Sequence, residues 1–579
     1  MKGIQTRLGV LAVAITALTA AVGLTASPAL AGPATADVVR LPIPQYDGTL
    51  TPYTFEIGYP VMTLAYDTLM WRDTGGVPQP WLARSITRSR AGRRVTVSLR
   101  PGVRWHDGRP LTAADVVFTF RFVAARFQPR FTPQLRNLER VRATGELTVA
   151  FDLRQPSIGF DDQPLSDVPI LPAHLWRDLP AEKAAPDSPP IGSGPYRIDG
   201  SSPKSGYVLR ANRSYFRGVP RVREIRMPII DDAERTFEAL RDRRVDIVPL
   251  SLPPRAAENL GGTIGIGVRR GPSYSGTTLL LNLRRPPFDD PATRRAVAAA
   301  LDLGRIVRNV APAVAAVQGQ IHPASRWAGT TPVQRPDLPA ARRTLAAAGR
   351  APIRVLAPVN DPVRTEAGRQ VVLALRRAGG QASLVKLSRV RLGQATGEDG
   401  SAPDFDAAIQ SIPALASADP DYLRTQFGSD ALNAPLNASG YRSEEFDALA
   451  QRVASAPDMA ARQTAVNAEL ALLARDLPSI PLFFSQGTFA FRPAIYDGWV
   501  FVKGTGILDK RSFVPGETLA RSTAAPNAAA AAEQAAAADT NSGSESGLST
   551  LNLITIVVLA IVVLLAGAAI LQRRSSDRP

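Results

Sequence analysis

The run Leu553–Leu571 is nineteen residues without a charge, and it decides where the rest of the chain can fold. As a helix it would extend about 28 Å, close to the hydrocarbon thickness of a bilayer. Arg573, Arg574 and Arg578 follow it, whereas the near upstream side carries Glu545 and no base. The positive-inside rule therefore places the tail (573–579) in the cytosol and everything before the 551–572 membrane helix outside. Residues 522–550 are rich in Ala, Ser, Gly and Asn and read as a tether. At the other end, Lys2 and Arg7 precede an apolar stretch, Leu8–Leu24, and then Ser27-Pro28-Ala29-Leu30-Ala31. This is the pattern of a signal peptide (1–31) cleaved before Gly32. The expected location is the cell membrane, single-pass, with an extracytoplasmic body of two or three lobes' length.

Composition removes whole classes of chemistry. There is no Cys, so a disulfide scaffold, a thiolate metal site, a cysteine nucleophile and a lipidated Cys are excluded. The three His, at 106, 174 and 322, are scattered, which argues against a multi-histidine metal site. No metal or cofactor is expected. The net charge of +17 invites a nucleic-acid reading, but the bases are 62 Arg and 6 Lys spread along the chain, usually near acids. No basic run is interleaved with aromatics, so nucleic acid is not an expected partner. The body outside the membrane keeps 63 bases and 50 acids, net +13, which suits anionic surface polymers or lipids better.

Periodicity and caps predict an α/β body. Val95–Leu99 and Leu147–Leu153 alternate as strands. Between them Thr112, with Asp115 three residues on, opens a helix over Val116–Phe127. Asp290-Pro291 opens another through Ala300. Then come Pro339–Ala348 (helix), Ile353–Leu356 (strand), Thr365–Ala378 (helix), Ala382–Leu387 (strand) and Phe405–Gln410 (strand). Ser443 caps a helix, a further helix runs to about Asp476, and Ile480–Phe484 is a short strand. Gly261–Gly267 reads as a loop or a weak strand. The acid pairs Asp161-Asp162, Asp231-Asp232 and Asp289-Asp290 read as helix caps. No phosphate loop, no G-x-S-x-G elbow and no H-E-x-x-H is present, so no enzymatic activity is expected.

Four separated segments carry a resemblance. Leu99-Arg100-Pro101-Gly102-Val103-Arg104-Trp105-His106-Asp107-Gly108-Arg109-Pro110-Leu111-Thr112-Ala113-Ala114-Asp115-Val116 closely resembles the signature of the family 5 extracellular solute-binding proteins, the dipeptide-, oligopeptide- and nickel-binding receptors of ABC importers. Gly192-Ser193-Gly194-Pro195-Tyr196 with Asn212-Arg213-Ser214-Tyr215-Phe216, then Leu281-Asn282-Leu283 through Asp302, then Ser443–Leu449 with Ile480–Phe483, resemble further family blocks in the same order.

The resemblance implies a two-lobed periplasmic-binding-protein-like (type II) fold. The first lobe would be 38–275, with an extra subdomain at about 81–175. The second would be 276–487, with a return to the first over 488–515. It implies a monomeric, non-catalytic receptor that captures a peptide or another small polar solute between the lobes and delivers it to a permease and its ATPase. A sensor using the same fold without transport is the alternative.

Segment position within that fold proposes Tyr46, Tyr53, Tyr274, Ser275, the segment Ser411 to Asp419, Phe483 and Phe484 as cleft lining. Trp105 and His106 are expected to pack against the signature turn rather than to meet ligand. In peptide-binding members an Asp near this last segment pairs with the peptide's α-ammonium. Aligned on Asp419-Pro420, that position is Ala416, so the usual peptide recognition does not follow.

Overall fold

The computed structural model describes residues 35–516 apart from 56–57, 181–182, 250–253, 311–318, 330–334, 348–351, 360 and 431–435. The signal segment, the tether and the 551–572 run lie outside the described residues. Among the described residues no helix is long and apolar enough to cross a membrane.

Local rules set the first elements. The strand Arg94–Leu99 turns Val95, Val97 and Leu99 inward and the residues between them outward. It joins Ala83–Arg88, Thr148–Leu153 and Leu138–Gly145 in a four-stranded antiparallel sheet. The helix Ala113–Ala125 packs on that sheet, with Phe120 edge-on to Phe151 at 4.8 Å. Its start is fixed by Asp115. One carboxylate oxygen accepts the Thr112 N–H at 2.9 Å, and the other accepts the Ala173 N–H at 3.0 Å, so a cap also ties down a distant segment.

A second sheet orders Ala36–Arg40, Val222–Met227, Gly206–Ala211 and Tyr196–Ser202, the first pair parallel and the others antiparallel. Both sheets contribute to one hydrophobic core, which also takes Phe489, Phe491, Tyr496, Trp499 and Phe513 from the far end of the chain. That returning segment is pinned by a buried ion pair. Lys510 Nζ lies 2.7 Å from Asp67 Oδ1 and sits over the Trp71 ring at 4.2 Å.

Separate cores form over residues 279–483. Here a six-stranded sheet runs Ile247–Val248, Ser479–Phe491, Gly267–Leu281, Ala407–Ile412, Ile353–Pro358, Ala382–Leu387. Ile353–Pro358 is flanked on both sides by parallel neighbours and is almost wholly buried, as such strands are. The helix Pro362–Arg377 covers it with Ala367, Val371, Ala374 and Leu375, the spacing of one helical face.

Three expectations are corrected. The short strand at 480–484 extends to Phe491 because it pairs along nearly its full length with Gly267–Leu281. The Thr365–Ala378 helix starts earlier, at Pro362, because Asp361 accepts the Arg364 N–H at 2.9 Å. Asp232 and Asp290 do cap helices, but Asp162 does not; its carboxylate faces two arginines from the second core.

Candidate functional site

The two long strands are the covalent bridge between the cores. Phe489 and Phe491 belong to the first core, and Ile480, Leu482 and Phe483 to the second. Their ladder breaks between. Pairing runs to Pro272↔Gln486 and resumes only at Gly276↔Phe484, leaving Ser273, Tyr274 and Ser275 opposite Ser485. Pro272 has no N–H to give, and Tyr274 adopts the left-handed φ of 58°, unusual for a residue with a bulky side chain. The Ser273 hydroxyl donates to the Ser485 carbonyl at 2.9 Å, replacing part of the lost ladder. A break of this kind concentrates backbone freedom at one level of a two-strand bridge.

Around the break lies a chain of contacts. The His322 imidazole is 5.1 Å from the Tyr274 ring and 5.1 Å from Phe484, and the Tyr274 hydroxyl donates to the Ala324 carbonyl at 3.1 Å. Burial pushes His322 down to about 4, so it is neutral. Its Nδ1 accepts the Ala324 N–H at 2.9 Å, while Nε2 is buried without a partner. The His322 N–H donates to Ser417 Oγ at 2.8 Å, and the Ser325 hydroxyl donates to the Ser417 carbonyl at 2.6 Å. Ala416 and Asp419 flank Ser417 on the same short segment.

Asp419 leads to the strongest electrostatic feature. Arg462, on the helix Met459–Asp476, is 1% exposed and binds Asp419 of its own core through one terminal nitrogen. The other reaches Asp162 of the first core at 3.1 Å. Arg326 meets the second oxygen of Asp162 at 2.5 Å. Both guanidiniums lie over the Trp327 ring, Arg326 at 4.8 Å and Arg462 at 4.7 Å from its centroid. Gly159 gives the guanidinium room: a Cβ on it would fall 2.5 Å from Arg462 Nη2 and oblige the arginine to shift.

Burial pushes the Asp419 carboxyl up to about 6, opposed by Arg462 and reinforced by the nearby Asp162 and Asp421. Glu469, on the same helix as Arg462, is fully buried with neither carboxyl oxygen hydrogen-bonded. Burial, with the Asp421 charge beside it, holds it well above the ordinary carboxyl range.

The structure thus brings together Tyr274, Ser275, Phe484, Ala416 and Asp419. Ser411 lies in the adjoining strand and lines a cavity of about 30 Å³ with Thr278, Gln320 and Ser479, room for one or two waters. Phe483 is fully buried in the second core. Tyr46 and Tyr53 do not join the group. The Tyr46 hydroxyl is 3.2 Å from Ser201 Oγ, and its ring packs on Tyr207. The Tyr53 hydroxyl donates to the Arg126 carbonyl at 3.2 Å, and its ring packs with Phe122 and Trp176, which also touch each other.

The His106 ring bonds not to its own signature turn but to the Gly192–Gly194 segment: its Nε2 is 3.0 Å from the Gly194 carbonyl, and its Nδ1 accepts the Gly192 N–H at 3.2 Å. Gly192 has no room for a Cβ, which would lie 1.9 Å from the Ala65 carbonyl oxygen. His322, Asp162, Arg326, Arg462 and Glu469 were not singled out from the sequence as site residues. The only available signal was the Asp161-Asp162 pair. Among the described residues no three acid or histidine side chains are placed to hold a metal ion.

Comparison with known proteins places this geometry. Residues 77–434 match the family model described as bacterial extracellular solute-binding proteins, family 5 Middle. Protein XP55 of Streptomyces lividans is 30% identical over 247 residues, 42% of this chain and 45% of that protein. The oligopeptide-binding protein AppA of Bacillus subtilis is 28% identical over 234 residues, 40% of this chain and 43% of that protein. The chain thus spans less than half the length of these curated relatives. The solved structure of AppA from Bacillus subtilis in complex with a nonapeptide superposes with a TM-score of 0.72 at 20% identity, over 83% of this chain and 99% of that one. NikZ from Campylobacter jejuni in complex with Ni(L-His) gives 0.70 at 21% identity, over 79% and 94%. At these identities the structures establish the mixed α/β, periplasmic-binding-protein-like fold. With the family model covering most of the body, the chain belongs to the family 5 bacterial extracellular solute-binding proteins.

Proposed function

We propose that this chain is an extracytoplasmic receptor that takes a small polar solute into the cleft between two lobes and delivers it to an ABC permease. The 551–572 helix would keep it at the membrane. On this reading the lobes are 38–275 with 488–515, and 276–487, and the separate hydrophobic cores support the division. The observation that carries the reading is the break at Ser273–Ser275 in a two-strand bridge joining separate cores. Capture by closure needs such a hinge, and a catalyst does not. The Tyr274–His322–Phe484 cluster and the Ser411–Asp419 segment are the proposed lining.

The ligand is not an ordinary peptide held by its free N-terminus. Ala416 carries no charge, Asp419 is engaged by Arg462, and Asp421 pairs with Arg424 at 3.0 Å. A buried α-ammonium left without a carboxylate loses about 3–5 kcal/mol, roughly two to four decades in affinity. A blocked or modified peptide, or another polar molecule, fits better. Native mass spectrometry of the protein purified from its own host is expected to release an unaltered small solute. Calorimetry is expected to find that free tripeptides bind no better than their N-acetylated forms. Tight binding of free peptides abolished by acetylation would overturn the ligand assignment, and repeated conversion of the solute to product would overturn the receptor reading.

A further inference from the structure

The sheet of the first core carries a second feature, which shares no residue with the hinge cluster. A groove of about 370 Å³ opens beside the signature turn, with Arg104, Arg197, Arg210, Arg213 and Arg223 on its walls. Through Ala211, Arg213 and Arg223 it continues into a second groove of about 540 Å³ that reaches Pro220 and Asp37. All five arginines are exposed.

Their placement works against the fold. Arg197 and Arg210 are direct cross-strand partners, and like charges placed opposite each other weaken a sheet. Arg210 is relieved by Asp199 at 2.9 Å and by Glu224 at 3.6 Å, but Glu224 is shared with Arg226 at 2.6 Å. Among the described residues Arg223 pairs only with the exposed Asp37, at 3.9 Å, a pairing of little strength. Arg104 uses one nitrogen on the Gly108 carbonyl at 2.8 Å. Arg197 and Arg213 make no side-chain ion pair or hydrogen bond among the described residues. The scaffold beneath is stiff. Trp105 is buried and His106 is clamped between Gly192 and Gly194, so the guanidiniums project from a fixed floor.

We propose that this continuous groove binds a linear polyanion bearing phosphate groups. Guanidinium forks match phosphate oxygens in pairs, and a bound chain would give Arg197 and Arg213 the anionic partners they lack among the described residues. Two joined grooves sharing Arg213 and Arg223 favour a chain over a single ion. The site does not depend on what the interlobe cleft holds.

The test uses the full chain, linear tripolyphosphate, orthophosphate and an oligoglutamate of equal charge, read by calorimetry and by thermal shift. Tripolyphosphate is expected to bind at least tenfold tighter than orthophosphate and oligoglutamate, and to raise the melting temperature. R197Q with R213Q is expected to weaken it at least tenfold while the ligand-free protein melts no lower. R104Q alone is expected to weaken it less. R389Q with R391Q, the same loss of charge on a helix of the second core, is expected to leave binding unchanged. Equal weakening by both double variants, preference for oligoglutamate, or no saturable binding would overturn the proposal.

Discussion

Lys510–Asp67 and Arg462–Asp162 are both buried ion pairs in one chain, but their surroundings differ. Asp67 Oδ1 receives Lys510, the Trp81 indole N–H at 2.8 Å and the Tyr215 hydroxyl at 3.1 Å, and Ser193 meets its other oxygen at 3.3 Å. Every one of these partners belongs to the first core's own body. Arg462 instead divides its guanidinium between Asp419 of its own core and Asp162, 300 residues earlier in the chain, with Arg326 as a second cation on Asp162. The first arrangement holds a returning chain segment to the body that it completes. The second ties the segment that carries Asp162 to the separate core that carries Arg462. Breaking the first leaves a charge that only unfolding can hydrate, whereas under the proposed two-lobed reading breaking the second is relieved by opening the hinge. Burial and pair geometry are alike; connectivity decides whether the pair sets stability or conformation.

The comparison is broken most directly by Lys510→Met. It strands Asp67 in a dry site and is expected to lower the unfolding free energy by about 3–5 kcal/mol, measured by urea titration. A loss under about 1 kcal/mol would mean that water already reaches Asp67 and that the two pairs do not differ as argued.

A smaller effect tests the cleft pair through pH. The folded-state value of Asp419 is raised from 3.8 to about 6, so the folded protein holds this proton more tightly than the unfolded chain does. Its contribution to stability is therefore present below pH 3.8 and is lost as pH rises through the window to about 6. The size is on the order of 2–3 kcal/mol. Asp419→Asn is expected to flatten that part of the stability–pH curve while Arg462 keeps Asp162. An unchanged curve would place the pH dependence elsewhere.

The smallest effect is expected from Glu469→Gln. Burial favours the protonated carboxyl, which resembles an amide, so stability at pH 5 should shift by no more than about 1 kcal/mol. The variant should also remove a loss of stability that the native protein shows as pH rises above the ordinary glutamate range. Denaturant titration at pH 5, 7 and 8.5 measures both. A large loss at pH 5 would show that Glu469 is charged and partnered.

What could be read from the chain alone follows the range of the interactions. Asp290 with Pro291, Ser443, and Thr112 with Asp115 announce helices because a cap and its targets lie within three residues. The strand Gly267–Leu281 was missed because Gly271-Pro272-Ser273-Tyr274-Ser275-Gly276 has loop composition; its strand character comes from a partner about two hundred residues away. Tyr274, Phe484 and Asp419 were reached through the family resemblance. His322, which joins the first two, has no motif around it. Arg462 looks like any surface arginine on an alanine-rich helix. Only the fold brings Asp162, 300 residues earlier, to its guanidinium, and only the missing side chain of Gly159 leaves room for it.

The central claim is that Arg462 and Asp162 latch two bodies that turn about Ser273–Ser275. The chain has no cysteine, so Arg140→Cys and Arg452→Cys place spin labels on exposed positions of the two bodies without background. Electron–electron double resonance should give one short distance in the parent protein and a shift to longer distances when Arg462→Met is added, with far-UV circular dichroism unchanged. The same distance distribution with and without Arg462 would contradict the account.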